Sequence, residues 1–262
     1  MAEERSRSQG KKFDFGDRMG EMNGEVNDTV TNSDHHFHDG QEEAQVMEKA
    51  TLENRLWQFW WRSLQPYAVE KAAAETAFLA LVQAYSSPDR YYHTLTHIHQ
   101  MLVVIQSLQA QAQNLSRLQL ATWFHDAVYH SQATENEERS ANYAADILRS
   151  FNLPNEEITI ISHLILCTKH HNADVNDIDA QILLDADLSI LGTHEKQYQK
   201  YARAIRQEYA WVSEEAYREG RKRVLESFLH RDRLFLTEPM FTRLEAIARH
   251  NLQAELQQLA KG

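Results

Sequence analysis

LENRLWQFWWRSL, residues 52–64, and AVEKAAAETAFLALVQAY, residues 68–85, decide the fold class. Apolar side chains return every three or four positions in both stretches, the period of an amphipathic helix rather than the alternation of a half-buried strand. The rhythm continues towards the C-terminus and predicts helices over about 94–111, 115–130, 135–151, 155–170, 178–191, 194–209, 213–230 and 238–260. Between 41 and 261 only Gly192 and Gly220 are glycines, too few for a turn-rich β fold. With no internal repeat and no paired strands, the expectation is an all-α fold, a single compact bundle of about ten helices over residues 49–262.

Within this pattern, Pro88 interrupts YSSPDRYYH (85–93), so a loop should present His93. NLPNEEITIISHLIL (152–166) reads as a helix start with Asn155 as N-cap and Glu156 and Glu157 against the helix dipole. In LSILGTHEK (188–196), Gly192 is expected to be a left-handed C-cap. Residues 1–48 are rich in Gly, Asn, Asp, Glu and Ser, contain no Trp or Leu, and are expected to form a disordered leader. Its DHHFH cluster (34–38) reads as an adventitious metal binder.

The formal charge of −11, with no cluster of Lys and Arg, argues against a duplex nucleic acid partner and leaves room for a small phosphorylated substrate. Cys167 has no partner for an intrachain disulfide or a thiolate metal site and reads as a core thiol. No apolar stretch reaches roughly 18 residues and no apolar segment follows the N-terminus, so the expectation is a cytoplasmic protein with no membrane span. The LWQFWW tryptophans read as core or as a homo-oligomer face.

Eleven of fourteen histidines fall in the helical part, most of them between 93 and 171. Burying several imidazoles without a shared partner would be costly. In RYYHTLTHIHQML (90–102), His93 and His97 are four apart and can address one site, whereas His99 points elsewhere. In LATWFHDAVYHS (120–131), His125 and Asp126 diverge by about 100° on a helix, so both reach one ion only if it lies between them. In ILLDADLSILG (182–192), Asp185 and Asp187 interrupt an apolar helix. Asp187 is the expected ligand, and Asp185 is expected to bond a neighbouring helix. His130 and His163 read as a solvated helix-end histidine and a packed core histidine.

The order His, then His-Asp, then Asp on separate helices resembles the HD superfamily of metal-dependent phosphohydrolases. The likeness is greatest to its subgroup of unassigned substrate, through RYYHTLTHIHQML, ATWFHDAVYH, ENEERSA and LLDADLSILG, with IRQEY, the GR of REGRKRVL and EAIARHNL extending it over about 52–255. The resemblance implies His97, His125, Asp126 and Asp187 as ligands of a divalent ion such as Mn, Fe, Co, Ni, Zn or Mg, with a second ion an option. It also implies hydrolysis of a phosphate ester by metal-activated water. YHTLTH is similar to the YHNxxH signature of cyclic nucleotide phosphodiesterases, which implies His93 as general acid; Thr94 stands where that family has Asn. Glu137 is then expected to position water or act as base. His171, His170, Lys169, Arg206 and Arg221 are candidates for substrate binding or a second metal, with Arg231 and Arg249 as further cations. A nonenzymatic metal- or nucleotide-binding regulatory module and an HD-fold metal oxygenase are the competing readings.

Overall fold

The periodicity becomes ten α-helices with no strand among the described residues, which in this computed structural model are 36–261, with side chains from residue 47 onward. They are α1 (His36–Leu64), α2 (Lys71–Tyr85), α3 (Leu95–Ser107), α4 (Leu115–Phe124), α5 (Asn136–Ser150), α6 (Asn155–Cys167), α7 (Ile178–Asp187), α8 (Glu195–Glu208), α9 (Glu214–Leu229) and α10 (Glu238–Lys261). Short 3-10 turns follow α1 at Gln65–Tyr67 and α7 at Leu188–Gly192. From Val46 onward the described residues form one compact unit. The leader expected over 1–48 lies outside the described residues as far as 35. From His36 the backbone is already helical, so α1 begins inside that stretch. The DHHFH side chains lie outside the described ones.

Helix α4 is buried along most of its length and touches α3, α5, α6 and α7. Trp60 of α1 fills the space beside it. Its ring meets Trp123 at 5.7 Å, Phe124 at 5.9 Å and Phe151 at 6.4 Å, and its Nε1 donates to the Ala74 carbonyl at 2.9 Å. Trp57 and Trp61, half-buried, stack on each other. No described helix is long and apolar enough to cross a membrane.

Several local expectations change. Helix α4 stops at Phe124 instead of near 130 because side chains from elsewhere claim the next backbone groups. Arg90 donates to the carbonyls of Asp126 and Ala127 at 2.7 and 3.0 Å, Ser140 Oγ accepts from Val128 N at 3.1 Å, and Asn136 Oδ1 accepts from His130 N at 3.0 Å. Groups satisfied this way cannot propagate a helix. His130 therefore sits exposed on a loop. Asn155 is the first residue of α6, not its cap; Pro154 takes that place with no side-chain bond. Gly192 has no positive φ: a Cβ there would lie 2.5 Å from Leu244 Cβ, so glycine permits the close approach of α10. The left-handed turn after α5 falls to Asn152, at φ 60°. His163 is 59% exposed at its side chain and pairs with Asp177 at 3.1 Å, so it is not a core residue. Cys167 is only partly buried.

Trp60→Ala removes one of the two largest fully buried rings and should cost about 3–5 kcal/mol in urea unfolding; a loss below about 1 kcal/mol would mean this cluster does not organise the core.

Candidate metal centre

Three helices deliver one donor each to a common point: α3 carries His97, the residue after α4 is His125, and Asp187 ends α7. Their ligand atoms all lie within 4.8 Å of one another. Asp187 Oδ1 stands 3.2 Å from His97 Nε2 and 3.9 Å from His125 Nε2. Donors on one ion, with bonds of about 2.0–2.2 Å, stand roughly 3–4.2 Å apart, so the observed spacings suit a shared cation. Both Nε2 atoms are buried and neither makes a hydrogen bond of acceptable geometry among the described residues, despite their closeness to the carboxylate. One such orphan costs about 1–3 kcal/mol, and two aimed at one carboxylate fit a cluster that could hold a metal ion. His125 Nδ1 lies 2.9 Å from the Thr122 carbonyl. Donation there leaves the Nε2 lone pair facing the centre.

Asp126 flanks this group. Its Oδ2 is 3.1 Å from His125 Nε2 and 3.8 Å from His93 Nε2, and it does not belong to the tight three-donor cluster. His93 is held from behind by Glu208, whose Oε2 lies 2.6 Å from His93 Nδ1. Glu208 Oε1 accepts from the backbone N–H groups of Tyr91, Tyr92 and His93 at 2.8, 2.7 and 3.0 Å, while Tyr129 donates its hydroxyl to Oε2 at 3.0 Å. Burial opposes charge on both partners. The His93 bonds nevertheless hold Glu208 down to about 2, and the Asp126, Glu208 and Asp187 carboxylates raise His93. Glu208 thus favours the protonated form of His93, whose Nε2 faces Asp126 and the donor cluster.

Burial alone would lower His125, yet the adjacent Asp126 and Asp187 charges push it up to about 9. Burial would raise Asp187, and the histidines around it bring it down instead. The second Asp187 oxygen lies 3.0 Å from His171 Nε2. His171 sits at φ 47°, a left-handed conformation uncommon for a side chain of this size. Arg231 fixes that turn by donating to the carbonyls of His170 and His171 at 2.9 and 2.7 Å.

A cavity of about 780 Å³ opens from this cluster, with His93, Asp126, Glu137, Lys169, His170 and His171 on its wall. Glu137 lies in the first turn of α5. The candidate cations are mostly committed elsewhere. Arg206 pairs with Glu214 and bonds the carbonyls of Tyr209 and Val212, closing the end of α8. Arg249 bonds Glu245 and the carbonyls of Leu229, Arg231 and Asp232, and Arg231 is spent on the His171 turn. Neither Arg206, Arg249 nor Arg231 lines the cavity. Arg221 does, but its guanidinium grips Glu255 at 2.7 and 3.0 Å. Lys169 is paired with Glu138. Asp185 bonds the start of α10, accepting from Leu236 N, Thr237 N and Thr237 Oγ1 at 2.6–2.7 Å. His99 packs its ring on Phe59, away from the centre.

Asp187→Ala should abolish stoichiometric Mn²⁺ uptake in equilibrium dialysis; retention of one ion per chain would contradict this cluster. Proton linkage gives a second check. His125 is raised from 6.5 to about 9, so the stability its proton lends the metal-free protein is complete below 6.5 and lost as pH rises through about 9. A metal displaces that proton, so Mn²⁺ affinity should climb over the same window, with proton release detectable by calorimetry in buffers of differing ionisation enthalpy.

Comparison with protein-family models, curated proteins and solved structures finds no match for this chain.

Proposed function

We propose that this protein is a metal-dependent hydrolase of a phosphate ester in a small molecule. The observation that carries the reading is the Glu208–His93 pair, which favours the protonated imidazole and sets its Nε2 3.8 Å from Asp126 Oδ2, beside the His97, His125 and Asp187 donors. A proton donor next to a cation site suits a reaction in which an oxygen departs with negative charge. The resemblance of His97, His125–Asp126 and Asp187 to the HD superfamily supports the same reading.

A divalent ion bound by His97, His125 and Asp187 would polarise a phosphoryl oxygen and lower the pKa of water beside it. The residues supply the rest. Water attacks phosphorus, the bond to the ester oxygen breaks, and His93 Nε2 gives its proton to the departing alkoxide, while the proton that the water sheds passes through a phosphate oxygen to His93 and restores the acid. Glu208 holds Nδ1–H and balances the imidazolium before transfer. Asp126 orients His93 and His125, and Glu137 faces the cavity where it can orient the attacking water. His171 is a positioning residue that bonds one Asp187 oxygen and leaves the other for the ion.

Protein purified without added metal, then screened with Mn²⁺ against phosphorylated metabolites, should release inorganic phosphate. Asp126→Ala with full metal content and full activity would sink the reading, and metal binding without turnover would favour a regulatory module. Glu208→Gln tests the proton donor: His93, raised by its carboxylate neighbours, must be protonated, so activity falls as pH rises through its pKa. Removing the Glu208 charge should move that alkaline limb to lower pH. An unmoved limb would exclude His93 as the acid.

A further inference from the structure

Beyond the metal cluster the cavity changes character. Tyr201, Tyr209, Trp211, Tyr217 and Phe228 line it, with Gly220 among them. Tyr209 lies 6.3 Å from Trp211 and 6.5 Å from Tyr217, both at tilted angles. Trp211 is 54% exposed, and its Nε1 donates to Ser131 Oγ at 2.9 Å on the loop across the opening. Its polar atom is thus satisfied and its ring face remains open.

Two further observations concern what enters. Gly220 stands mid-way along α9, where glycine weakens a helix relative to alanine. A Cβ there meets nothing within 4 Å, so neither packing nor a positive φ requires glycine. The missing side chain widens the chamber. Moreover, both Lys and Arg side chains on the wall are already paired, Lys169 with Glu138 and Arg221 with Glu255. Each further phosphate on a substrate would have to draw on Lys169 or Arg221, whose charges are already matched.

Building on the hydrolase reading, we propose that the substrate carries a single phosphate, at the metal cluster, and a planar, uncharged aromatic alcohol group seated in the chamber over Gly220. Aromatic walls stack on any ring face without demanding a hydrogen-bond pattern. An ester of a small aliphatic alcohol leaves the chamber unfilled, and a diphosphate brings charge with no partner.

The test uses full-length, Mn²⁺-loaded protein and three probes: 1-naphthyl phosphate, ethyl phosphate and adenosine diphosphate. Calorimetric affinity and kcat/KM are both read. Wild type should favour 1-naphthyl phosphate over the other two by about tenfold or more in affinity. Gly220→Leu should reduce 1-naphthyl phosphate binding by about tenfold and change ethyl phosphate by less than about twofold. Gly220→Leu should keep wild-type Mn²⁺ stoichiometry and thermal unfolding, which separates crowding from misfolding. Equal affinity for naphthyl and ethyl esters, preference for the diphosphate, or equal losses on both esters in Gly220→Leu would overturn the proposal. Binding with the expected preference but no phosphate release would leave the chamber standing and remove the hydrolase reading.

Discussion

Arg90 is 8% exposed and has no carboxylate partner among the described residues. Its guanidinium donates to three backbone carbonyls, those of His93, Asp126 and Ala127, at 3.2, 2.7 and 3.0 Å. The rings of Tyr85 and Tyr129 lie 4.9 and 5.3 Å away and provide cation–π contact. With Ser140 and Asn136, this side chain ends α4 just before His125, which keeps its helical bond to the Ala121 carbonyl, and ties Asp126 and Ala127 to the loop that presents His93. The centre exists because this cation is satisfied by carbonyl dipoles at the point where a helix would otherwise continue.

Buried carboxylates do the complementary work on amide groups. Asp179 accepts from Gln113 and Asn114 ahead of α4, and Glu208 from residues 91–93 ahead of α3. Asp185 accepts from Leu236 and Thr237 ahead of α10, and Glu245 from Leu234 and Phe235 just upstream. Asp179, Glu208 and Asp185 each staple the loop before another helix, and Glu245 the loop before its own, where orphan N–H groups gather. Part of the acidic excess is therefore structural, spent inside the fold instead of on a surface field.

The donors were legible because His97, His125 and Asp187 interrupt apolar helical runs, where their burial demands a partner. The all-helical class was legible from LENRLWQFWWRSL and the segments after it. Helix ends were not, since α4 is stopped by Arg90, Ser140 and Asn136, contacts that no local pattern encodes. Glu208 went unnamed because IRQEY looks like an ordinary polar last turn; an acid at a helix C-terminus, unfavourable to the dipole, was the available signal. Arg206, Arg231 and Arg249 looked free because a sequence does not display the carbonyls and carboxylates that occupy them.

The turn at His171 sets two demands against each other. At φ 47° the backbone would be served better by glycine, which adopts that conformation without steric penalty. The imidazole that reaches Asp187 requires a side chain there. The chain keeps the histidine and anchors its carbonyl with Arg231, so conformational strain persists at the point where the Asp187 oxygen is aimed. Stability and the geometry of the donor cluster are in opposition at this residue, and substitutions that relax the turn would make a sturdier protein with a looser centre.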